Sequence, residues 1–264
     1  MLISIRKHIF VTMFKRLFFS IATVFCLSQN ISGQAAISDT TVLVPYLTIN
    51  YGLFSPGGDL ADRFGLTNYL GISFTIKTTK NFTFGINGAG YFGDDVKEQN
   101  MLHGMRTDNG DILDDNAIIS QVLLLERGFQ ITGEVGKIFH IGKTNPNSGI
   151  FLNLGVGYNM HWIRIENQEN NIPQLTKETK KYYDRRAAGI ILTEYIGYQY
   201  FSNKGLANFS AGFEFMQGFN SDFRTYNIDD KVAVSGNRLD LYFGFKVGWS
   251  ILFRKTMSTA YYID

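Results

Sequence analysis

Residues 238 to 253 read RLDLYFGFKVGWSILF, and every odd position is apolar: Leu239, Leu241, Phe243, Phe245, Val247, Trp249, Ile251 and Phe253. The even positions carry Arg238, Asp240, Tyr242, Gly244, Lys246, Gly248, Ser250 and Leu252. A period of two predicts an extended strand, because successive side chains point to opposite faces. The run is far longer than the roughly 5–6 residues of an ordinary strand.

The same alternation recurs along the chain. In YLTINYGLF, Leu47, Ile49, Tyr51 and Leu53 oppose Thr48, Asn50 and Gly52. In YLGISFTIK, Leu70, Ile72, Phe74 and Ile76 oppose Tyr69, Gly71, Ser73 and Thr75, and FTFGINGAGYF follows with Phe82, Phe84 and Ile86 on its apolar row. LLERGFQITGEVGKIF sets Leu125, Phe129, Ile131 and Val135 against Glu126, Gln130, Thr132 and Glu134. IFLNLGVGYNMHWIRIE places Ile150, Leu152, Leu154, Val156, Met160 and Trp162 opposite Asn153, Gly155, Gly157, Asn159 and His161. Phe209, Ala211, Phe213 and Phe215 oppose Asn208, Ser210, Gly212 and Glu214. In GIILTEYIGYQYF, Glu194 shares a row with Ile190, Leu192 and Ile196, which leaves the phase of this strand open; a bulge would re-aim one end.

Eight strands result, and the links between them alternate in length. Links 78–81, 140–148 and 202–206 are short, while 55–68, 94–120, 167–187 and 220–237 are long and polar. This predicts an all-β, eight-stranded antiparallel up-and-down transmembrane β-barrel, with tight turns at one end and extended loops at the other. A soluble barrel would show its second row to water, and such a row is dense in Lys and Glu. Here that row is mostly Gly, Ser, Thr, Asn and Tyr, which suits the narrow lumen that eight strands just fill. The apolar row then faces hydrocarbon, and closure leaves no unpaired edge in lipid. Trp249 and Trp162 fall near opposite strand ends, where aromatic girdles are expected.

The pattern over residues 42 to 253 resembles the small outer-membrane barrels of the OmpA/OmpX type. The resemblance is architectural and implies a fold and an outer-membrane location, with no functional residue attached. Such barrels end at an aromatic residue, whereas here RKTMSTAYYID continues past Phe253, and no peptidoglycan-binding domain follows.

At the N-terminus, Lys15 and Arg16 precede the apolar-to-small stretch Leu17 to Leu27, then SQNISGQA. That is the signature of a secretory leader starting at Met1 or Met13, its apolar stretch about half the length of a membrane-spanning helix. The expected division is a leader over 1–33, a periplasmic segment over 34–41, the barrel over 42–253 and a periplasmic tail over 254–264, with both termini periplasmic. Cys26 is the only cysteine, and it falls in the leader. The leader also holds Arg6, Lys7, Lys15 and Arg16 and no acids, so removing it takes the formal charge from +2 to −2. The basic balance therefore implies no nucleic-acid partner.

Candidate chemistry falls in four places. Lumen charges are Glu126, Glu134, Glu214, Asp240 and Lys246, with Glu194 if its phase is inward. In so narrow a space they must be paired and hydrogen-bonded, forming a structural plug or, alternatively, a gated ion path. In KETKKYYDRR, Lys177, Lys180, Lys181, Arg185 and Arg186 surround two tyrosines and could hold lipopolysaccharide phosphates at the rim. His161 is expected near the outer rim with Glu166 close by, His103 in the second long loop and His140 in a turn, but a serine nucleophile is not evident and no enzymatic activity is expected. The loop DNGDILDDN gathers Asp108, Asp111, Asp114 and Asp115 without the EF-hand spacing, so no metal or other cofactor is expected. The composition thus points to a structural or interaction role toward lipopolysaccharide or a protein partner, through the long loops or the tail with Tyr261 and Tyr262. The alternatives are a narrow porin-like conductor, a subunit of a secretion or adhesion assembly, and a rim lipid-modifying enzyme.

Overall fold

Each alternating stretch forms a strand because only a closed ladder can satisfy its backbone while turning one row outward. The computed structural model describes residues 41–98, 101–142, 145–167, 172–202, 207–223, 226–227, 232–233 and 236–253. The leader over 1–33, nearly all of segment 34–41, and the tail over 254–264 with Tyr261 and Tyr262 lie outside these. The strands are β1 (Val44–Gly58), β2 (Thr67–Lys77), β3 (Phe82–Gly93), β4 (Val122–His140), β5 (Gly149–Asn167), β6 (Ala187–Tyr200), β7 (Phe209–Asp222) and β8 (Asn237–Leu252). Each pairs antiparallel with its neighbours in sequence, and β1 closes on β8.

A hydrogen-bonded path fixes the geometry of the ring. From Thr48 it runs through Ser73, Asn87, Thr132, Gly157, Ile191, Gly218 and Asp240, and re-enters β1 at Gly58, ten residues on. A stagger of this size over eight strands tilts them by about 40° from the barrel axis.

The outer row is predominantly apolar around the ring. Ile72, Phe84, Ile86, Ile131, Leu154, Val156, Ile190, Ile196 and Phe213 each keep more than half their surface exposed. In water this continuous belt would be an aggregation surface; against acyl chains it is the solvated face of a transmembrane barrel. β6 runs without a bulge, and its open phase resolves outward: Ile191, Thr193 and Tyr195 are buried, while Glu194 is exposed on the lipid row.

Both ends of the barrel are closed. At the turn end, Val44, Tyr46, Ile138, Phe151, Phe201 and Leu252 pack together. Beneath them Lys77 Nζ donates to Val42 O, Asn81 Oδ1 and Thr78 O, and Asn81 Nδ2 donates to Pro146 O. At the loop end, the long links are less purely polar in role than their composition suggests. Leu60, Phe64, Met101, Leu102, Ile112, Ile172 and Leu175 are buried, joining Ile163 and Ile165 of β5 in a second core above the belt. The first link folds inward after Gly58, whose φ of 59° suits glycine. There a Cβ would meet Leu239 O at 2.2 Å. A short 3₁₀ turn (Asp59–Asp62) follows, and the third link holds a seven-residue helix α1 (Lys177–Tyr183), capped by the Thr176 side chain.

Candidate functional site

The lumen is filled in layers. Lowest is a small polar cavity of about 30 Å³, lined by Thr48, Asn50, Ser73, Glu134, Asn153 and Lys246 among others. Asn153 Nδ2 donates to Glu134 Oε2 at 2.8 Å, and Thr132 Oγ1 to Glu134 Oε1 at 3.3 Å. At mid-height Lys246 Nζ donates to Glu214 Oε1 at 2.5 Å. The ammonium also lies 4.9 Å from the Tyr195 ring centre and 5.8 Å from that of Tyr69. Gly212 faces Lys246 across the ladder and Gly197 faces Gly212; a Cβ at Gly197 would meet the Tyr195 hydroxyl at 2.3 Å, so the missing side chain there leaves room for the ring beside the ammonium.

Next is an aromatic layer. Tyr91 and Tyr242 stack with centroids 5.1 Å apart, and Phe54 and Tyr69 meet at 5.5 Å. Tyr91 hydrogen-bonds Gln130, and Asn87 Nδ2 donates to Tyr69 OH at 2.8 Å. Above it, His161 Nε2 lies 2.8 Å from Asp240 Oδ2, which also accepts from Asn220 Nδ2 at 2.7 Å, while Asp240 Oδ1 accepts from Arg238 Nη2 at 3.1 Å. Glu126 accepts from Thr67 Oγ1 at 2.7 Å. Phe64 lies edge-on to His161 at 5.6 Å and closes the layer from above.

The loops over that cork are tied by one arginine. Arg63 Nη2 donates to Asp222 Oδ1 at 2.9 Å, Nε lies 3.4 Å from Glu98, and Nη1 donates to Arg185 O at 3.0 Å. Burial lowers the Arg63 pKa from its ordinary value; Arg238 adds to this, while Asp222 and Glu98 oppose it. Arg238 Nη2 also donates to Asp59 O at 2.8 Å, and Leu239 N to Asp59 Oδ2 at 2.7 Å. The first, second and third links and the end of β7 are therefore held as one lid.

The structure places Glu126, Glu134, Glu214, Asp240 and Lys246 all inside the lumen, on different layers: only Glu214 and Lys246 touch, and Asp240 belongs with His161. Two expectations are corrected and the open phase of Glu194 is resolved. His161 is not at an open rim; it is fully buried beneath the lid, and Glu166 faces outward against Arg164 at 2.7 Å. Glu194 is outside the barrel. Arg185 is withdrawn from the supposed phosphate cluster: its side chain is buried and lies 3.3 Å from Glu98. His103 is exposed in a short turn, and the His140 ring lies 3.2 Å from Ser148 O. Asp114 caps its own loop through Asn116 N and Ile118 N, and among the described residues no group of His, Cys, Asp or Glu could hold a metal.

A different basic cluster forms on the outer face. Trp162 lies directly across from Arg127, Arg164 follows two residues later on the same row, and the Arg186 guanidinium stands 5.9 Å from the Trp162 ring centre. Arg164 is largely exposed and Arg186 partly so, each beside one acid, Glu166 and Asp184. Lys180 Nζ donates to Asn167 Oδ1 at 2.6 Å just above, and Lys181 is exposed. The Lys177 side chain lies outside the described residues. The period-two row through Phe129 already carried Arg127, two residues before it. That the third link brings Arg186 down onto Trp162 is a tertiary fact with no local signal.

No protein-family model matches the chain, and no curated protein does. Among solved structures the chain is similar to Ail, the attachment invasion locus protein of Yersinia pestis, solved with the heparin analogue sucrose octasulfate: 8% identity, 80% of this chain and 99% of that one, TM-score 0.39. It is also similar to OprG, an outer-membrane protein of Pseudomonas aeruginosa, with 11% identity, 84% and 98% coverage and TM-score 0.37. The N-terminal β-barrel domain of Pseudomonas aeruginosa OprF gives 10% identity, 78% and 97% coverage and TM-score 0.33. At these identities the likeness is one of fold.

Proposed function

We propose that the protein is a barrel of the bacterial outer membrane with a structural or interaction role, working through its exterior and its long loops. It is neither a conductor nor an enzyme in this reading. The observation that carries it is the lumen, packed from the Phe201 layer to the Phe64 cork with side chains that bond one another. An open aqueous path belongs to barrels about twice this size, and His161, among the described residues the one histidine beside a lumen acid, is fully buried under the lid. The long loops face outward and both termini lie on the periplasmic side, since the strand count is even and the chain enters from there.

Lipopolysaccharide is the partner best suited to the outer face. Arg127, Arg164 and Arg186 surround an interfacial tryptophan, and guanidinium forks match phosphate oxygens. A lipid-phosphate site needs that combination of an aromatic anchor and cations at one level. Thermal unfolding in bilayers with and without lipopolysaccharide tests it. The wild type should be stabilised by lipopolysaccharide, and the triple variant Arg127→Gln, Arg164→Gln, Arg186→Gln should lose most of that gain while unfolding normally in zwitterionic lipid. Equal stabilisation of both proteins would remove lipopolysaccharide from the proposal. Stepwise conductance of the wild type in planar bilayers would overturn the non-conducting part.

A further inference from the structure

Glu194 is the feature that the lumen and rim do not explain. It is exposed on the lipid row of β6, flanked by Leu192 and Ile196, and faces Leu154 and Phe215 across the ladder. It makes no hydrogen bond or ion pair among the described residues. Its depth follows from the register. The hydrogen-bonded path climbs ten residues over eight strands, so Trp249 lies about level with Thr48, Trp162 about ten residues above, and Glu194 about three. At about 2.5 Å of height per residue of tilted strand, Glu194 is about 9 Å above Trp249 and about 17 Å below Trp162. A carboxyl group at that depth costs free energy in either protonation state unless something bonds it.

The surroundings fit a protein surface. A groove of about 460 Å³ runs beside Glu194, walled by Leu152, Leu154, Ile196, Phe213, Phe215 and Phe243. Phe213, 66% exposed, stands up at nearly the level of Glu194. One strand over, Gln217 also faces outward, a second polar group on this sector of the belt.

We infer that the β6–β7 face is where a second copy of this chain docks in the membrane, about a two-fold axis that passes beside Glu194. The inference rests on the membrane-barrel reading. A two-fold axis parallel to the barrel axis preserves height, so each feature meets the partner's features at its own level. Glu194 then meets the second Glu194. A carboxyl is one of the few side chains that complements itself, since two can bond through a shared proton. The same axis lays the projecting Phe213 ring of one copy against the Leu154 side of the other's groove, matching knob to hole. A foreign partner would have to bring its own donor to this depth.

Cysteine cross-linking in outer membranes tests this in the full chain carrying Cys26→Ser. Leu192→Cys and Ile196→Cys flank the axis and leave Glu194 in place, whereas Phe74→Cys reports β2, away from this face. Both flanking variants should oxidise to self-linked dimers and Phe74→Cys should not. Adding Glu194→Leu should lower the dimer yield about tenfold, the scale of one membrane-buried hydrogen bond, while Glu194→Gln, which also self-complements, retains it. No dimer at either position, equal linking at Phe74→Cys, or linking to a different protein overturns the inference. Heat-modifiable gel mobility of each variant reads the barrel separately: if that is lost in the unsubstituted chain, the membrane-barrel reading fails instead.

Discussion

Lys246 and Glu214 meet at 2.5 Å in the middle of the lumen, on adjacent strands β8 and β7, with their side chains almost wholly enclosed. Neither charge can be removed without stranding the other. Lys246→Met or Glu214→Leu alone should therefore destabilise the barrel by about 3–5 kcal/mol, whereas the double variant, which leaves no unpaired charge, should recover most of that loss. Urea unfolding in micelles, followed by the heat-sensitive gel shift, reads all three. Additive losses in the double variant would mean that the pair is not a unit.

Glycines on the two rows separate the two faces of the wall. A Cβ at Gly212 would lie 2.3 Å from Ile196 O and 2.4 Å from Gly197 Cα, whereas one at Gly88, on the outer row, meets nothing within 4 Å. Gly212→Val should destabilise by at least about 1–3 kcal/mol through backbone displacement. Gly88→Val should be neutral or slightly stabilising, since a β-branched residue suits a strand and adds apolar surface to the belt. The two variants compared in one unfolding assay decide the point, and equal effects would contradict the inward and outward assignment of these rows.

Much of this was legible in the alternation. Period two identified eight strands, and the sparse lumen charges announced a narrow interior. What stayed hidden had tertiary causes. Phe64, Met101 and Leu175 sit in links that read as polar by composition, yet they form a core because the links fold over the mouth instead of extending into solvent. His161 shares its row with Asn159, which is a lumen signature, but its depth under the lid depends on Phe64 from another loop. Arg185 and Arg186 are neighbours with opposite fates, one turned in to Glu98 and one out to Trp162, and a charge run does not say which. Glu194 broke the pattern in the sequence, and it stands on the lipid row of the barrel.

Arg63 should control the lid without controlling the barrel. It bonds Asp222 and the Arg185 carbonyl and lies beside Glu98, so Arg63→Ala leaves Asp222 without its cation and Glu98 with Arg185 alone. Charged hydrogen bonds of this kind contribute about 1.5–3 kcal/mol each, so local opening should rise roughly tenfold or more. Limited proteolysis of the reconstituted protein should cut the first and third links faster in the variant, with the gel shift of the barrel unchanged. Loss of the gel shift would show that the lid is part of the barrel's own stability.

The two tryptophans offer a test of depth that needs no assumption about partners. Trp249 faces outward on β8 toward the turn end, Trp162 faces outward on β5 at the loop end, and the register separates them by about ten residues of height. That corresponds to about 25 Å, the height of an apolar belt, which puts each indole at an interface and neither at the centre. With Trp162→Phe and Trp249→Phe isolating one emitter each, lipids brominated near the headgroup should quench both more strongly than lipids brominated at the chain ends. Arg186 stands over Trp162 and nothing comparable covers Trp249 among the described residues, so lipopolysaccharide should shift the emission of the first alone. Stronger quenching of either indole from the chain ends would move the belt along the barrel and displace Glu194 from the depth assigned to it.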